Sequence, residues 1–346
     1  MTKVDIFSGF LGAGKTTLIK KLINEAYKGE QVVLIENEFG EIGIDGGFLK
    51  DSGIQINEMN SGCICCSLVG DFGDALKKVL DEFHPDRIII EPSGVGKLSD
   101  IINAVENLDL SDVKLNGFTT VVDAKKAKIY MKNFGEFYNN QVEHASSIIL
   151  SHTKDLDEEK LKNVVSLLRE KNEHAVIVTT DWDMIDGKKI LDAMENKDTI
   201  EEALKHLTEE HEMDHECCCH HDHEHDEECC HHDHHDHDHD HEHEHEHHHH
   251  HHHHADEVFD SIGIETTKKF NIDKLKDALS NLQDSLTYGQ VLRAKGIVES
   301  DDGQWIHFDY VPGESDVRYG TSEVTGRLCV IGAKIDEEAL RELFEI

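Results

Sequence analysis

The sequence predicts an α/β chain: a mostly parallel sheet with helices on both faces, then a histidine-rich insertion and a small α+β unit. Three observations predict it. Over the first two hundred residues short apolar runs alternate with helix-length amphipathic segments, the pattern of βαβ units. One long tract then holds almost nothing apolar, and apolar patterning returns after residue 255.

The elements follow in order. Buried strands are expected at 4–7 (VDIF), 32–36, 87–91, 118–124, 147–151 and 175–180, because each run is apolar without alternation. Helices are expected after the first strand (LIKKLINEA), at 73–83 and at 157–171, where apolar residues recur at i, i+3/i+4. Beyond the tract, strands are expected at 258–266, 290–300, 304–311 and 327–335, with helices at 272–283 and 336–346 covering their sheet. Three units result: 1–205, a linker at 206–255, and 256–346.

The linker is compositionally extreme. Residues 206–254 hold 24 of the 29 histidines, five of the nine cysteines and seventeen carboxylates. Without apolar side chains such a segment cannot offset the entropy of ordering, so disorder is the expectation. The eight-histidine run 247–254 has the form of an expression tag, yet it lies inside the chain and continues an Asp/Glu–His alternation. Imidazoles, carboxylates and the thiols Cys217–Cys219 and Cys229–Cys230 suit weak, exchangeable binding of several divalent ions.

Net charge is −38, from 72 acidic and 34 basic residues. That balance repels phosphate backbones and anionic bilayers, so neither nucleic acid nor a membrane is an expected partner. No apolar run reaches the roughly 18 residues that read as a membrane span. The start, MTKVDIFSGF, lacks a basic segment leading into a long apolar one. A cytoplasmic protein is expected, in a compartment where clustered thiols bind metal or do redox chemistry more often than they pair.

The sharpest motif is GFLGAGKTT, 9–17, between the first strand and a helical pattern. It satisfies G-x-x-x-x-G-K-[ST] in the required strand-loop-helix setting. Backbone N–H groups of Gly9, Gly12, Ala13, Gly14, Lys15, Thr16 and Thr17 would cradle phosphates, with the helix directing its positive end at them. Lys15 would reach the β- and γ-phosphates and the Thr16 hydroxyl would ligate Mg²⁺. A parallel sheet binds ligands beyond its carboxyl ends, and three further segments fall there. ENEFGEIGID (36–45) suits a switch loop with Glu36, Glu38, Glu41 and Asp45; one of these would position the hydrolytic water, or the loop is simply solvated. Glu91-Pro-Ser-Gly94 supplies an acid for Mg²⁺ and a glycine for the γ-phosphate. Ser151-His152-Thr153-Lys154-Asp155 falls where a base is read.

In this order GFLGAGKTT, ENEFGEIGID, GCICCS and IIIEPSGVG resemble the CobW-type P-loop GTPases, and YGQVLRAKGIV with RLCVIGAKID resembles their second domain. That group includes zinc metallochaperones, proteins of cobalamin biosynthesis and nitrile hydratase activators, and is related to the GTPases that insert nickel. The resemblance implies GTP as substrate, a metal site at C-x-C-C, matched by Cys63, Cys65 and Cys66, and nearby acidic switch residues mapping to Glu36 and Glu41. A His-rich insertion between the domains is also typical. The base loop departs from N-K-x-D. One register aligns Asp155 with the usual acid and puts His152 and Thr153 at the Asn and Lys positions; the other puts Lys154 where the acid belongs. A lysine has no acceptor for the base edge, so guanine preference rests on the resemblance, and a loop reading no base stays open.

The loop NSGCICCSL sets three thiols in four positions. Adjacent Cys65 and Cys66 are a strained disulfide pair, and flanking Asn60, Ser61, Gly62 and Ser67 do not suit an apolar cluster. Thiolate ligation fits best: three sulfurs leave a fourth position for Glu36, Glu41, a histidine or water. Zn²⁺ is favoured, with Co²⁺, Ni²⁺ and Cu(I) also suited to such ligands. Cys329 and His307 sit in strand patterns and are expected to be structural. The expected function is a metal-regulated GTPase delivering a transition metal, foremost Zn²⁺, to a client metalloprotein, with a homodimer as an assembly option. Two alternatives stand beside it: a metal buffer with little nucleotide turnover, and an assembly factor for a cobalt or corrinoid enzyme.

Overall fold

The computed structural model describes residues 1–37, 55–59, 69–108, 112–196, 198–205 and 258–346. Seven strands form the first sheet: β1 (Thr2–Ser8), β2 (Val32–Asn37), β3 (Gln55–Met59), β4 (Arg87–Glu91), β5 (Val113–Asp123), β6 (Ser147–Ser151) and β7 (Val176–Val178). Their order is β3-β2-β4-β1-β5-β6-β7, and every pairing is parallel. All seven carboxyl ends therefore share one edge.

Helices α1 (Lys15–Glu25), α2 (Val69–Phe83), α3 (Leu98–Glu106), α4 (Ala127–Asn133), α5 (Gly135–Glu143), α6 (Glu158–Arg169) and α7 (Gly187–Met194) run between and after these strands. Two apolar clusters show why the strands read as unbroken hydrophobic runs. Ile88 and Ile90 of β4 join Leu98, Ile101 and Tyr138 on one face, while Ile89 joins Leu18, Leu22 and Ile190 on the other. Alternate side chains point to opposite faces, and helices cover both.

Several elements escape the periodicity reading. β3, QINEM, has no apolar run because it lies at the sheet edge beside β2. β5 starts five residues before its apolar stretch, since its first residues pair with the start of β1. α3, α4, α5 and α7 are short, so few turns display their period.

The second sheet contains β8 (Asp260–Thr266), β9 (Lys269–Phe270), β10 (Gln290–Ser300), β11 (Trp305–Val311), β12 (Glu314–Gly320) and β13 (Gly326–Ala333). Five strands run antiparallel in the order β12-β11-β10-β13-β8, and β9 adds in parallel to β10. Helices α8 (Ile272–Asn281), α9 (Ser285–Tyr288) and α10 (Glu337–Phe344) accompany it. The two longer helices begin at side-chain caps: Asn271 accepts from the N–H groups of Asp273 and Lys274, and Asp336 from that of Ala339. Leu275, Leu279, Leu340 and Phe344 pack against Val298, Phe308 and Leu328 on one face of this sheet.

The other face is buried too. Leu292, Ile297, Cys329 and Ile331 belong to the same apolar cluster as the first sheet. Phe259, just before β8, lies 5.1 Å from Phe137 and 5.7 Å from Phe134, centroid to centroid. An antiparallel sheet with both faces covered is joined to its neighbour through a core, not a tether. Cys329 sits buried with its sulfur 3.5 Å from Ser261 Oγ, and His307 Nε2 lies 2.8 Å from the Thr321 carbonyl.

Candidate nucleotide site

β1 ends at Ser8 and turns through the glycine-rich loop into α1. Gly12 and Gly14 adopt φ of +73° and +99°, left-handed values that a side chain would strain. Gly14 caps α1 without a side chain, and no acid follows in the helix's first turn, so its opening N–H groups have no side-chain cap of their own. Lys15, only 6% exposed, donates from Nζ to the Gly9 carbonyl at 2.9 Å.

Opposite the loop stands β4. Thr16 Oγ1 donates to both carboxylate oxygens of Glu91, at 2.9 and 3.2 Å. Glu36 is the register partner of Glu91 across β2 and β4 and is itself buried. A hydroxyl against a carboxylate is a hard-oxygen pair, the donor type that Mg²⁺ selects. The following turn touches the loop. A Cβ on Gly94 would stand 2.9 Å from the Leu11 nitrogen, so a side chain there would push the turn off. Gln141 holds this turn from α5: its amide donates to the Gly94 carbonyl at 3.1 Å and the Gly96 carbonyl at 2.8 Å. Sequence reasoning missed Gln141, since a lone glutamine in a helical pattern carries no motif.

The base loop divides. His152, at φ +55°, turns back toward the phosphate cavity with Nε2 3.9 Å from Asp123 Oδ2. Thr153 is buried. Lys154 and Asp155 face outward to ion pairs with Asp183 at 3.6 Å and Lys125 at 3.5 Å. Beside them Trp182 donates its indole N–H to the Leu150 carbonyl, and its ring edge abuts Gly14.

Gly12, Gly14, Lys15, Thr16, Thr17, Glu91 and His152 line one cavity of about 480 Å³. Gly9 and Ala13 sit behind it in the loop, Gly9 bonded to Lys15 and the Ala13 N–H to the Phe10 carbonyl at 3.2 Å. The remaining expected residues, Glu38, Glu41, Asp45, Cys63, Cys65, Cys66 and the tract 206–254, lie outside the described residues. Among the described residues no group of three or more His, Cys, Asp and Glu side chains forms a metal centre. None of the described helices is long and apolar enough to cross a membrane.

A buried loop lysine, a Thr–Glu pair and a glycine turn at the carboxyl edge of a parallel sheet define a P-loop nucleotide-binding protein. Residues 3–179, half of the chain, match the model described as "CobW/HypB/UreG, nucleotide-binding domain", and 259–346 match "Cobalamin synthesis protein cobW C-terminal domain". The chain belongs to the CobW/HypB/UreG family. Its curated relatives include the zinc chaperone CobW of a Sinorhizobium species, 43% identical over 34% of this chain and 36% of that protein. The zinc chaperone YjiA of Escherichia coli is 36% identical over 43% of this chain and 49% of its own. The zinc-regulated GTPase metalloprotein activator 1 of Schizosaccharomyces pombe is 31% identical over 55% and 48%. The matches thus span half or less of these proteins. Among solved structures, Zn(II)-bound YjiA GTPase is 21% identical with a TM-score of 0.41, covering 99% of this chain and 98% of that one.

Proposed function

We propose that the chain is a GTPase that couples nucleotide hydrolysis to the delivery of a transition metal, foremost Zn²⁺, to a client metalloprotein. One observation carries the reading. β2 pairs with β4, setting Glu36 opposite Glu91, and β3 pairs with β2 on its other side; from the carboxyl ends of β2 and β3 the chain continues into the acidic segment after Glu36 and the thiol segment after Met59. Both strand ends therefore lie on the same carboxyl edge of the sheet as the phosphate loop. The zinc named in the three relatives supports the choice of metal.

In this reading Lys15 and the N–H groups opening α1 bind the phosphates. Thr16 and Glu91 would hold Mg²⁺, which supplies charge neutralisation along the phosphates. Gly94, held by Gln141 and pressed against Leu11, puts its turn where loss of the γ-phosphate is felt. His152 faces the cavity, and the base loop's preference for guanine follows the GTPase relative. Cys63, Cys65 and Cys66 would bind the cargo as thiolates, with Glu36 or Glu41 as the oxygen ligand. A setting that keeps thiols reduced, such as the cytoplasm, suits that chemistry.

Nucleotide and cargo then favour the same arrangement of 36–45, and hydrolysis loosens the metal. Such coupling is reciprocal. Zn²⁺ affinity measured in GTP-loaded and GDP-loaded protein should differ by the factor by which Zn²⁺ changes the GTP/GDP preference. Equal zinc affinity in the two states would sink the proposal. Cys65→Ala should abolish the difference while leaving nucleotide binding. The histidine tract favours an added storage role, and deleting 206–254 should lower metal stoichiometry but spare hydrolysis.

A further inference from the structure

The phosphate cavity has a second wall that no P-loop motif supplies. Arg293 of β10, Asp309 and Val311 of β11, and Glu314 and Asp316 of β12 face Lys15, Thr16 and Glu91 across it. Contact reaches the loop itself: a Cβ placed on Gly12 would stand 2.5 Å from Val311 Cγ1. The turn between β11 and β12 thus rests on the glycine loop. Behind it the joint is packed, because Phe10 of the same loop meets Tyr130 at 4.7 Å and Phe259 at 6.4 Å. The two sheets share the apolar cluster that holds both rings.

Charge on this wall is unevenly matched to a nucleotide. With Ser315 of β12, which also lines the cavity, three of the six residues are carboxylates, which repel phosphate oxygens. Asp316 is ion-paired with Arg318 and Asp309 with Arg293, the latter at 2.8 Å. Arg293 is the wall's only cation among the residues lining the cavity, and its side chain is largely shielded from bulk water at 18% exposure. A planar fork suits a phosphate as well as a carboxylate, and both bonds are charge-assisted. A doubly charged phosphate is the stronger competitor for a shielded guanidinium than one half-exposed aspartate.

We propose that the second domain completes the nucleotide site: Arg293 exchanges Asp309 for a phosphate oxygen of the bound nucleotide, so that the β11–β12 turn reports phosphate occupancy to the second sheet. This rests on the nucleotide-binding reading above. It assigns the C-terminal unit a ligand contact in cis, and gives metal release a route to whatever surface of that unit meets the client.

The experiment uses full-length protein and Mg²⁺ with fluorescent guanine nucleotides. Arg293→Ala should weaken triphosphate binding about 10- to 100-fold, the size of a lost hydrogen bond to a charged group. Arg293→Lys should recover part, a point charge replacing the fork. Asp309→Asn, which releases the guanidinium from its acid, should tighten binding a few-fold. Arg341→Ala, on α10 and paired with Glu337, is the control and should change nothing. A second readout follows occupancy, not affinity. With Trp182→Phe, Trp305 of β11 is the sole indole, and saturating nucleotide should shift its emission when Arg293 is present and not in Arg293→Ala. Binding that requires Lys15 but is within two-fold of wild type in Arg293→Ala, with the Trp305 shift intact, would overturn this inference alone. No nucleotide binding by the wild-type chain would overturn the nucleotide reading and the inference with it.

Discussion

The two edges of the parallel sheet use charge in opposite ways. At the amino edge Arg87 is fully buried and bonds Asp5, Glu30 at 2.6 Å and Glu195 at 2.9 Å, with Tyr27 under its guanidinium at 4.4 Å. Asn116 bridges Asp5 and Glu195, and Lys3 adds a bond to Glu195 at 2.8 Å. At the carboxyl edge Lys15, Glu91 and Arg293 instead line a cavity. One set of charges is sealed by partners within the fold; the other faces a space sized for a ligand. The lesson is that burial alone does not mark a functional charge. What the charge faces does.

The largest expected effect lies at the sealed edge. Arg87→Met should cost about 3–5 kcal/mol in urea denaturation, because Asp5 would remain buried without its guanidinium. Nucleotide affinity per folded molecule should hold; a cost under about 1 kcal/mol would erase the contrast between the edges. The next effect belongs to the open edge. Glu91→Gln should reduce Mg²⁺-dependent GTP turnover about 10²-fold, comparable to losing one preorganised charge-stabilising group. Its thermal unfolding should barely move, and a large drop in Tm would recast Glu91 as a structural residue.

Gly12→Ala probes the junction between the edges' two styles, where the loop meets Val311. Left-handed backbone costs an ordinary residue about 1–2 kcal/mol, and the added methyl must displace the β11–β12 turn. The expected result is weaker nucleotide binding together with easier proteolysis between the two sheets. Wild-type behaviour in both assays would mean that the turn does not rest on the loop.

The smallest effect appears only in acid. Burial would raise Glu195, yet hydrogen bonds from Lys3, Arg87 and Asn116 hold its carboxyl down from 4.5 to about 2. Its contribution is complete above pH 4.5 and fades as the pH falls toward 2. Asp5, raised by burial against the pull of Arg87, trends the opposite way. Glu195→Gln should therefore flatten the acid limb of a stability–pH profile between pH 4.5 and 2. An unchanged limb would place the acid sensitivity elsewhere.

Legibility followed the range of the interaction. GFLGAGKTT was readable because strand, glycine turn and helix cap are consecutive, and their geometry is set by neighbours along the chain. Glu91 was readable from its place after an apolar strand. Arg87, four residues earlier, carried no such signal: its partners Asp5, Glu30 and Glu195 come from three other segments. Gln141 and β3 were silent for the same reason. In the base loop, sequence left two registers, and the structure shows His152 alone facing the cavity while Lys154 and Asp155 turn to solvent-side pairs.

By itself, then, the order of residues determined the α/β class, the phosphate loop and the compositional break at 206–254, all of which depend on local periodicity, glycine conformation and missing apolar content. Tertiary structure alone decided which charges share a space. It set Glu36 beside Glu91 by strand register, and it brought β10 to β12 of the second sheet over the loop by burying Phe10 and Phe259 in one core. Those contacts join residues up to almost three hundred positions apart, and only the burial of apolar surface common to both units can select them.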